Sequence, residues 1–146
     1  MDIKSLLFYT SSSRSISIIR LMVGTVFLSE GIQKFLFPAI RGAGRFAKIG
    51  LPNPDLLGNF VGTCEIIFGL MILIGLLTRL SSLVTFTIMC VAIITTKIPM
   101  LASHDIWYML HQARTDWAML LGSLFLIING GGSISLDRLI QQNIAK

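Results

Sequence analysis

Residues 56–77 read LLGNFVGTCEIIFGLMILIGLL, an apolar run with one carboxylate, Glu65, near its middle and Arg79 just beyond its end. At ~1.5 Å per residue a helix of this length rises roughly 33 Å, enough to cross a hydrocarbon core ~30 Å thick. An ionised carboxylate at that depth costs at least ~2.5–3.5 kcal/mol on insertion scales. Glu65 is therefore expected to be protonated, paired or turned toward a polar interior, and not to face lipid.

The rest of the chain has the same character. Hydrophobic residues make up 53% of it and charged residues 13%, whereas soluble domains carry ~25% charged residues. Apolar runs place four spans at about 16–37, 56–77, 80–97 and 115–130, the last two slightly short. The expected fold is all-α, a transmembrane antiparallel four-helix bundle forming one domain over residues 1–146. The first run is too long for a signal-peptide core and has no small-x-small site after it, so it is expected to stay as the first span.

Net charge is +5, with the basic residues at the ends of spans. Anionic lipid headgroups are the natural partner for that pattern, and nucleic acid is not. With the termini and the turn after Leu77 on one side, that side holds Lys and Arg at positions 4, 14, 20, 79, 138 and 146, and the other holds them at 34, 41, 45, 48, 97 and 114. The counts are equal, so charge bias alone does not orient the chain. Cys64 and Cys90 both fall inside spans, as packing residues and not as a disulfide framework.

Spans two and three are separated by little more than Thr78 and Arg79, which makes them a tight helical hairpin. The link between spans one and two, PAIRGAGRFAKIGLPNP, is longer and sets Arg41, Arg45 and Lys48 at i, i+4 and i+7 beside Ala43, Phe46 and Ala47. That pattern predicts an interfacial amphipathic helix whose cationic stripe meets lipid headgroups. Asn53 is suited to cap the second span, with Pro54 at its first position and Asp55 in its first turn. Thr115 and Asp116 would open the fourth span in the same way. Trp107, Tyr108, His104, Asp105, His111 and Arg114 suit a segment at headgroup level. The two histidines stand about 10.5 Å apart along a helix, too far to grip one metal ion together, and no metal site is expected. GAGRFA at Gly42 is set aside as a dinucleotide loop because no strand precedes it.

Helical geometry at ~100° per residue then asks where the polar residues point. In the second span Gly58, Gly62, Glu65 and Gly69 share one face, and small-xxx-small spacing lets another helix approach. In the first span Arg20, Gly24, Phe27, Gly31 and Lys34 share a face, with Glu30 at its edge, one turn from Lys34 and in reach of it. Two spans thus have inward polar faces. Either the charges only lock the helices together, or they line a polar pocket inside the bilayer.

The segments RLMVGTVFLSEGIQKF (20–35), FAKIGLP (46–52), GTCEIIFGLMILIGLLTR (62–79) and GGGSISLD (130–137) occur in this order. With them the chain resembles the DoxX family of small four-helix membrane proteins, most specifically in the Glu65, Gly69, Gly75, Arg79 pattern and the closing SLD segment. The resemblance implies a membrane subunit of a quinone-linked oxidoreductase, as in thiosulfate:quinone oxidoreductase. It also implies the bacterial cytoplasmic (inner) membrane, with both termini cytoplasmic. The chain itself has no CxxC, no mid-membrane histidine pair and no nucleotide motif, so electrons would come from a soluble or peripheral redox partner.

On this reading the bundle binds a quinone or similar lipophilic molecule, with Glu65 and the Glu30, Lys34 pair as hydrogen-bonding or proton-exchanging groups and Arg79 as an electrostatic partner. Catalytic residues are not assigned. Two alternatives belong to other classes: a non-enzymatic anchor or assembly factor for a partner complex, and small-solute transport. The last would need a homo-oligomer to provide a lumen.

Overall fold

The structure, a computed structural model, describes residues 8–144; Lys4 and Lys146, counted above for orientation, lie outside them. Every regular element among the described residues is helical: α1 (Ile16–Leu36), α2 (Ala43–Lys48), α3 (Pro54–Ile74), α4 (Thr78–Ala92), α5 (Ile106–Gln112), α6 (Arg114–Asn129) and α7 (Leu136–Ile144). α4 continues through a π-helical turn, Ile93–Lys97, and a 3-10 segment, Ile98–Ala102. Three stretches are long and apolar enough to cross a membrane: α1, α3 and Thr78–Ala102. α6 has 16 residues, a rise of roughly 24 Å.

The long helices pack as a closed set, α1 on α3, α3 on α4, α4 on α6 and α6 back on α1. Their burial is inverted relative to a water-soluble core. Gly58, Gly62, Glu65 and Gly69 of α3 point inward, as do Thr78, Ser81, Ser82 and Thr85 of α4, while Ile18, Leu21, Phe60, Leu83 and Leu121 point out. Lipid is as apolar as leucine, so the bundle gains from close backbone approach rather than from hiding large side chains. A Cβ on Gly31 would lie 2.8 Å from the Gly62 carbonyl oxygen, and one on Gly24 2.9 Å from that of Gly69. Pairing 24 with 69 and 31 with 62 sets α1 and α3 head to tail in direct backbone contact.

The α3–α4 turn lies earlier than hydropathy implies. α3 stops at Ile74 because Gly75 turns left-handed (φ 72°), with Leu76 N–H donating to the Met71 carbonyl at 2.9 Å. Thr78 and Arg79 belong to the first turn of α4. Gly75, Leu76 and Leu77 are apolar, so their turn conformation is invisible to a hydrophobicity count. Two expected caps also differ. Asn53 precedes α3 in a left-handed conformation without a side-chain cap bond. α6 begins at Arg114, which puts Thr115 inside the helix. A cap is present at Asp105, which accepts from Tyr108 N–H at 2.7 Å and starts α5.

Both described ends of the chain lie beside the α3–α4 turn. The Thr10 hydroxyl and the Gly132 backbone are hydrogen-bonded to each other, and Asp137 N–H donates to the Gly75 carbonyl at 2.9 Å. The α2 and α5 segments occupy the opposite end.

Candidate functional site

Glu65 reaches the bundle interior because its α3 face is otherwise glycine, and Lys34 reaches it because Gly31, one turn earlier, lets α1 lie against α3. Lys34 Nζ donates to Glu65 Oε2 at 2.5 Å, with the side chains 11% and 4% exposed. This is the partner that burial demands, since an unpaired charge there would be far costlier than a paired one. The expected Glu30–Lys34 pair does not form. Glu30 sits on the edge of the α1 face and meets Arg41 at 3.6 Å, in a half-exposed setting.

The Lys34–Glu65 pair lies on the wall of a cavity of about 510 Å³, within the ~300–1,000 Å³ range of ligand sites. Its apolar walls come from Phe27, Phe46, Phe60 and Met119, and its polar groups from four cations, Lys34, Arg41, Arg45 and Lys97, against three carboxylates, Glu30, Glu65 and Asp116. Among the described residues Arg45 has no ion-pair partner. Glu65 Oε1 and the remaining Lys34 protons likewise have no protein partner there. The site therefore offers spare donors and a spare acceptor within an apolar enclosure.

A second ion pair completes the wall. Lys97 Nζ stands 3.1 Å from Asp116 Oδ2 and also donates to the Gln112 carbonyl at 3.0 Å. Lys97 closes the π-helical turn, a distortion frequent at functional sites, and Thr95 and Thr96 of that turn face the cavity as well. Sequence reasoning missed this pair by treating Asp116 only as a first-turn residue. The available signal was topological: Lys97 ends one span and Asp116 starts the next, so both lie at the same end of the bundle.

Of the expected headgroup residues, Arg41 and Arg45 line the cavity on the side covered by α2, and Lys48 is exposed. Arg79 is not part of this site. It lies at the opposite end, where Nε donates to the Tyr9 carbonyl at 3.0 Å and Nη2 to the Ile128 carbonyl at 2.7 Å, with the guanidinium over the Tyr9 ring. Its position near the end of an apolar run was legible, but not which end of the bundle it would serve.

The end that Arg79 serves is a polar knot. Arg20, 4% exposed, donates to the carbonyls of Ile72 (2.8 Å), Leu73 (2.5 Å), Gly131 (3.0 Å) and Ile134. It thereby satisfies acceptors that α3 leaves open at its C-terminus. Asp137 accepts from Leu77 N–H at 2.7 Å and Thr78 N–H at 2.8 Å, capping α4. Thus the Gly75, Arg79 and SLD elements, the most specific part of the sequence resemblance, hold the helix ends together, and Glu65 alone of that pattern reaches the cavity.

The DoxX family model matches residues 15–98. The chain is 44% identical over 138 residues to an uncharacterised membrane protein of Mycobacterium tuberculosis, covering 90% of this chain and 85% of that one. It is 28% identical over 123 residues to a Bacillus subtilis protein provisionally named as an oxidoreductase, CatD, with 82% of each chain covered. No solved structure matches. With its family match spanning α1 to the end of the π-helical turn, this integral membrane protein belongs to the DoxX family.

Proposed function

We propose that the protein is the membrane subunit of a quinone-linked oxidoreductase system, a single domain over residues 1–146 that holds a quinone or similar lipophilic molecule beside Lys34 and Glu65. The observation that carries this reading is a buried ion pair with spare hydrogen-bonding capacity on the wall of a ligand-sized, largely apolar cavity. A quinone fits the donor set: Lys34 has protons to offer a carbonyl oxygen, and the phenylalanines offer ring faces. When bound, a quinone takes up electrons and protons together. The electrons come from a soluble or peripheral partner, and Glu65, able to gain or lose a proton next to Lys34, moves the protons. The provisional name of the Bacillus subtilis relative is in keeping with redox work.

In the same proposal α6 is the fourth span of an antiparallel bundle in a bacterial cytoplasmic membrane, with both termini on the cytoplasmic side. The cavity end, with Lys48 toward the headgroups, then lies at the outer face. Mass spectrometry of quinone in the lipid extract of the purified protein, beside Glu65→Gln, tests the reading. Near-stoichiometric quinone that falls in the variant supports it, and no enrichment in either sample overturns it.

A second reading rests on the Arg20 and Asp137 knot, where buried charges serve only to join helices. If Lys34–Glu65 does the same, the protein is an anchor or assembly factor. Glu65→Gln would then reduce recovery of a partner complex and leave quinone content unchanged.

A further inference from the structure

We propose that the ligand enters sideways from the bilayer through the gap between α3 and α4 and leaves its hydrocarbon tail there, so that the site takes an amphiphile with an oxygen-bearing head and a linear apolar tail. This rests on the reading of the Lys34–Glu65 cavity as a ligand site and adds the route and a second subsite. A groove of about 320 Å³ runs between the two helices, walled by Phe60, Val61 and Cys64 of α3 and by Leu83, Thr87 and Ile88 of α4. Among the described residues its lining includes no charged side chain. Phe60, Val61, Thr87 and Ile88 also line the larger cavity, so the same side chains border both spaces and the groove adjoins the cavity that holds the ion pair.

The gap follows from the local geometry. α3 and α4 are held together at Gly75–Leu77 by the short turn and the Asp137 cap, whereas Phe60 to Cys64 lie more than two helical turns back from that clamp. Phe60 is 62% exposed and Leu83 51%, so the groove opens on the face that meets lipid. A water-soluble ion gains nothing from such a path, because an apolar lining cannot replace its hydration. A molecule already dissolved in the bilayer does gain: its head reaches Lys34 and Glu65 while its tail stays among apolar side chains, where each buried CH₂ is worth ~0.8 kcal/mol.

Two probes separate the head site from the tail site: a fully substituted benzoquinone with a decyl tail, and tetramethylbenzoquinone, which has none. In vesicles containing the full chain, a diazirine at the middle of the decyl tail should label Phe60 or Cys64 on α3 and Leu83 or Thr87 on α4. Labels confined to α1, α2 or α6 would overturn the route. Leu83→Trp, at a position that lines the groove and not the larger cavity and checked for unchanged Tm, should weaken the decyl quinone at least tenfold and leave the tail-free quinone unchanged. Equal effects on both probes, or on neither, would reject the tail subsite while the head site stands. Binding of neither probe to the unaltered protein would defeat the ligand reading itself, and the route with it.

Discussion

Lys34 on α1 and Glu65 on α3 meet at 2.5 Å across 31 positions of sequence, while Glu30, one turn before Lys34 on the same helix, is held by Arg41 instead. Under the proposed function the pair has both a structural and a chemical role, and a double-mutant cycle separates them. Lys34→Met strands a buried carboxylate and should cost about 3–5 kcal/mol if Glu65 stays charged. Adding Glu65→Gln removes that charge and should restore most of the stability, read as Tm in detergent. Quinone content should not return in the double variant. Its return would show that the pair contributes only to folding.

Asp137 predicts the opposite division of effects. Its carboxylate caps α4 through two backbone N–H groups, and a hydrogen bond to a charged group is worth about 1.5–3 kcal/mol. Asp137→Ala should lower the Tm clearly, while the folded fraction keeps the quinone content of the unaltered protein. A selective loss of quinone at unchanged Tm would contradict the assignment of this end to helix joining.

How far the sequence could be read follows from what each residue depends on. The inward faces of α1 and α3 were legible because glycine and charge recur at helical spacing, and that spacing alone puts Glu65 and Lys34 inside. Partner choice was not legible. Lys34 has Glu30 within reach on its own helix, yet only the close approach at Gly31 and Gly62 decides that Glu65 wins. Nor was the end of α3 legible, since it depends on the left-handed Gly75 and not on a change in polarity.

Arg79 is the sharpest case of that limit. Charge and proximity to an apolar run suggest a ligand partner, but its hydrogen bonds go to Tyr9 and Ile128 at the far end. Arg79→Gln should leave binding of the decyl quinone within a factor of two. It should cost only about 0.5–1.5 kcal/mol, the net worth of a hydrogen bond, because both bonds are exposed. A tenfold loss of binding, measured by titration, would restore it to the ligand site.

The α1–α3 contact depends on having no side chain at Gly31. A Cβ there would lie 2.8 Å from the Gly62 carbonyl oxygen and 2.8 Å from the Ile66 nitrogen, both backbone atoms that move only if the helices separate. Gly31→Ala should therefore destabilise by about 1–3 kcal/mol, although alanine favours a helix over glycine. Because Lys34 lies one turn further along the same face, the separation should also lengthen its bond to Glu65 and lower quinone content. Unfolding in detergent and quinone analysis of the same sample check both effects. A stabilised variant would mean that the helices are not in backbone contact.

Lys97 and Asp116 join the end of the π-helical turn to the first turn of α6, on the cavity wall. Lys97 is as covered as Lys34 (12% against 11% exposed), while Asp116 at 20% is more open than Glu65 at 4%. Asp116→Asn leaves Lys97 with the Gln112 carbonyl and should cost about 1–3 kcal/mol. It should also act on the ligand, because it removes the negative charge facing Lys97 and adds a net positive charge to a cavity that already holds more cations than carboxylates. A decyl-tailed amphiphile with a carboxylate head should bind more tightly to this variant, while the decyl quinone, which has no charge, should change little. If titration shows the two ligands shifting together, the pair acts through the shape of the π-helical turn; if only the carboxylate responds, it acts through charge.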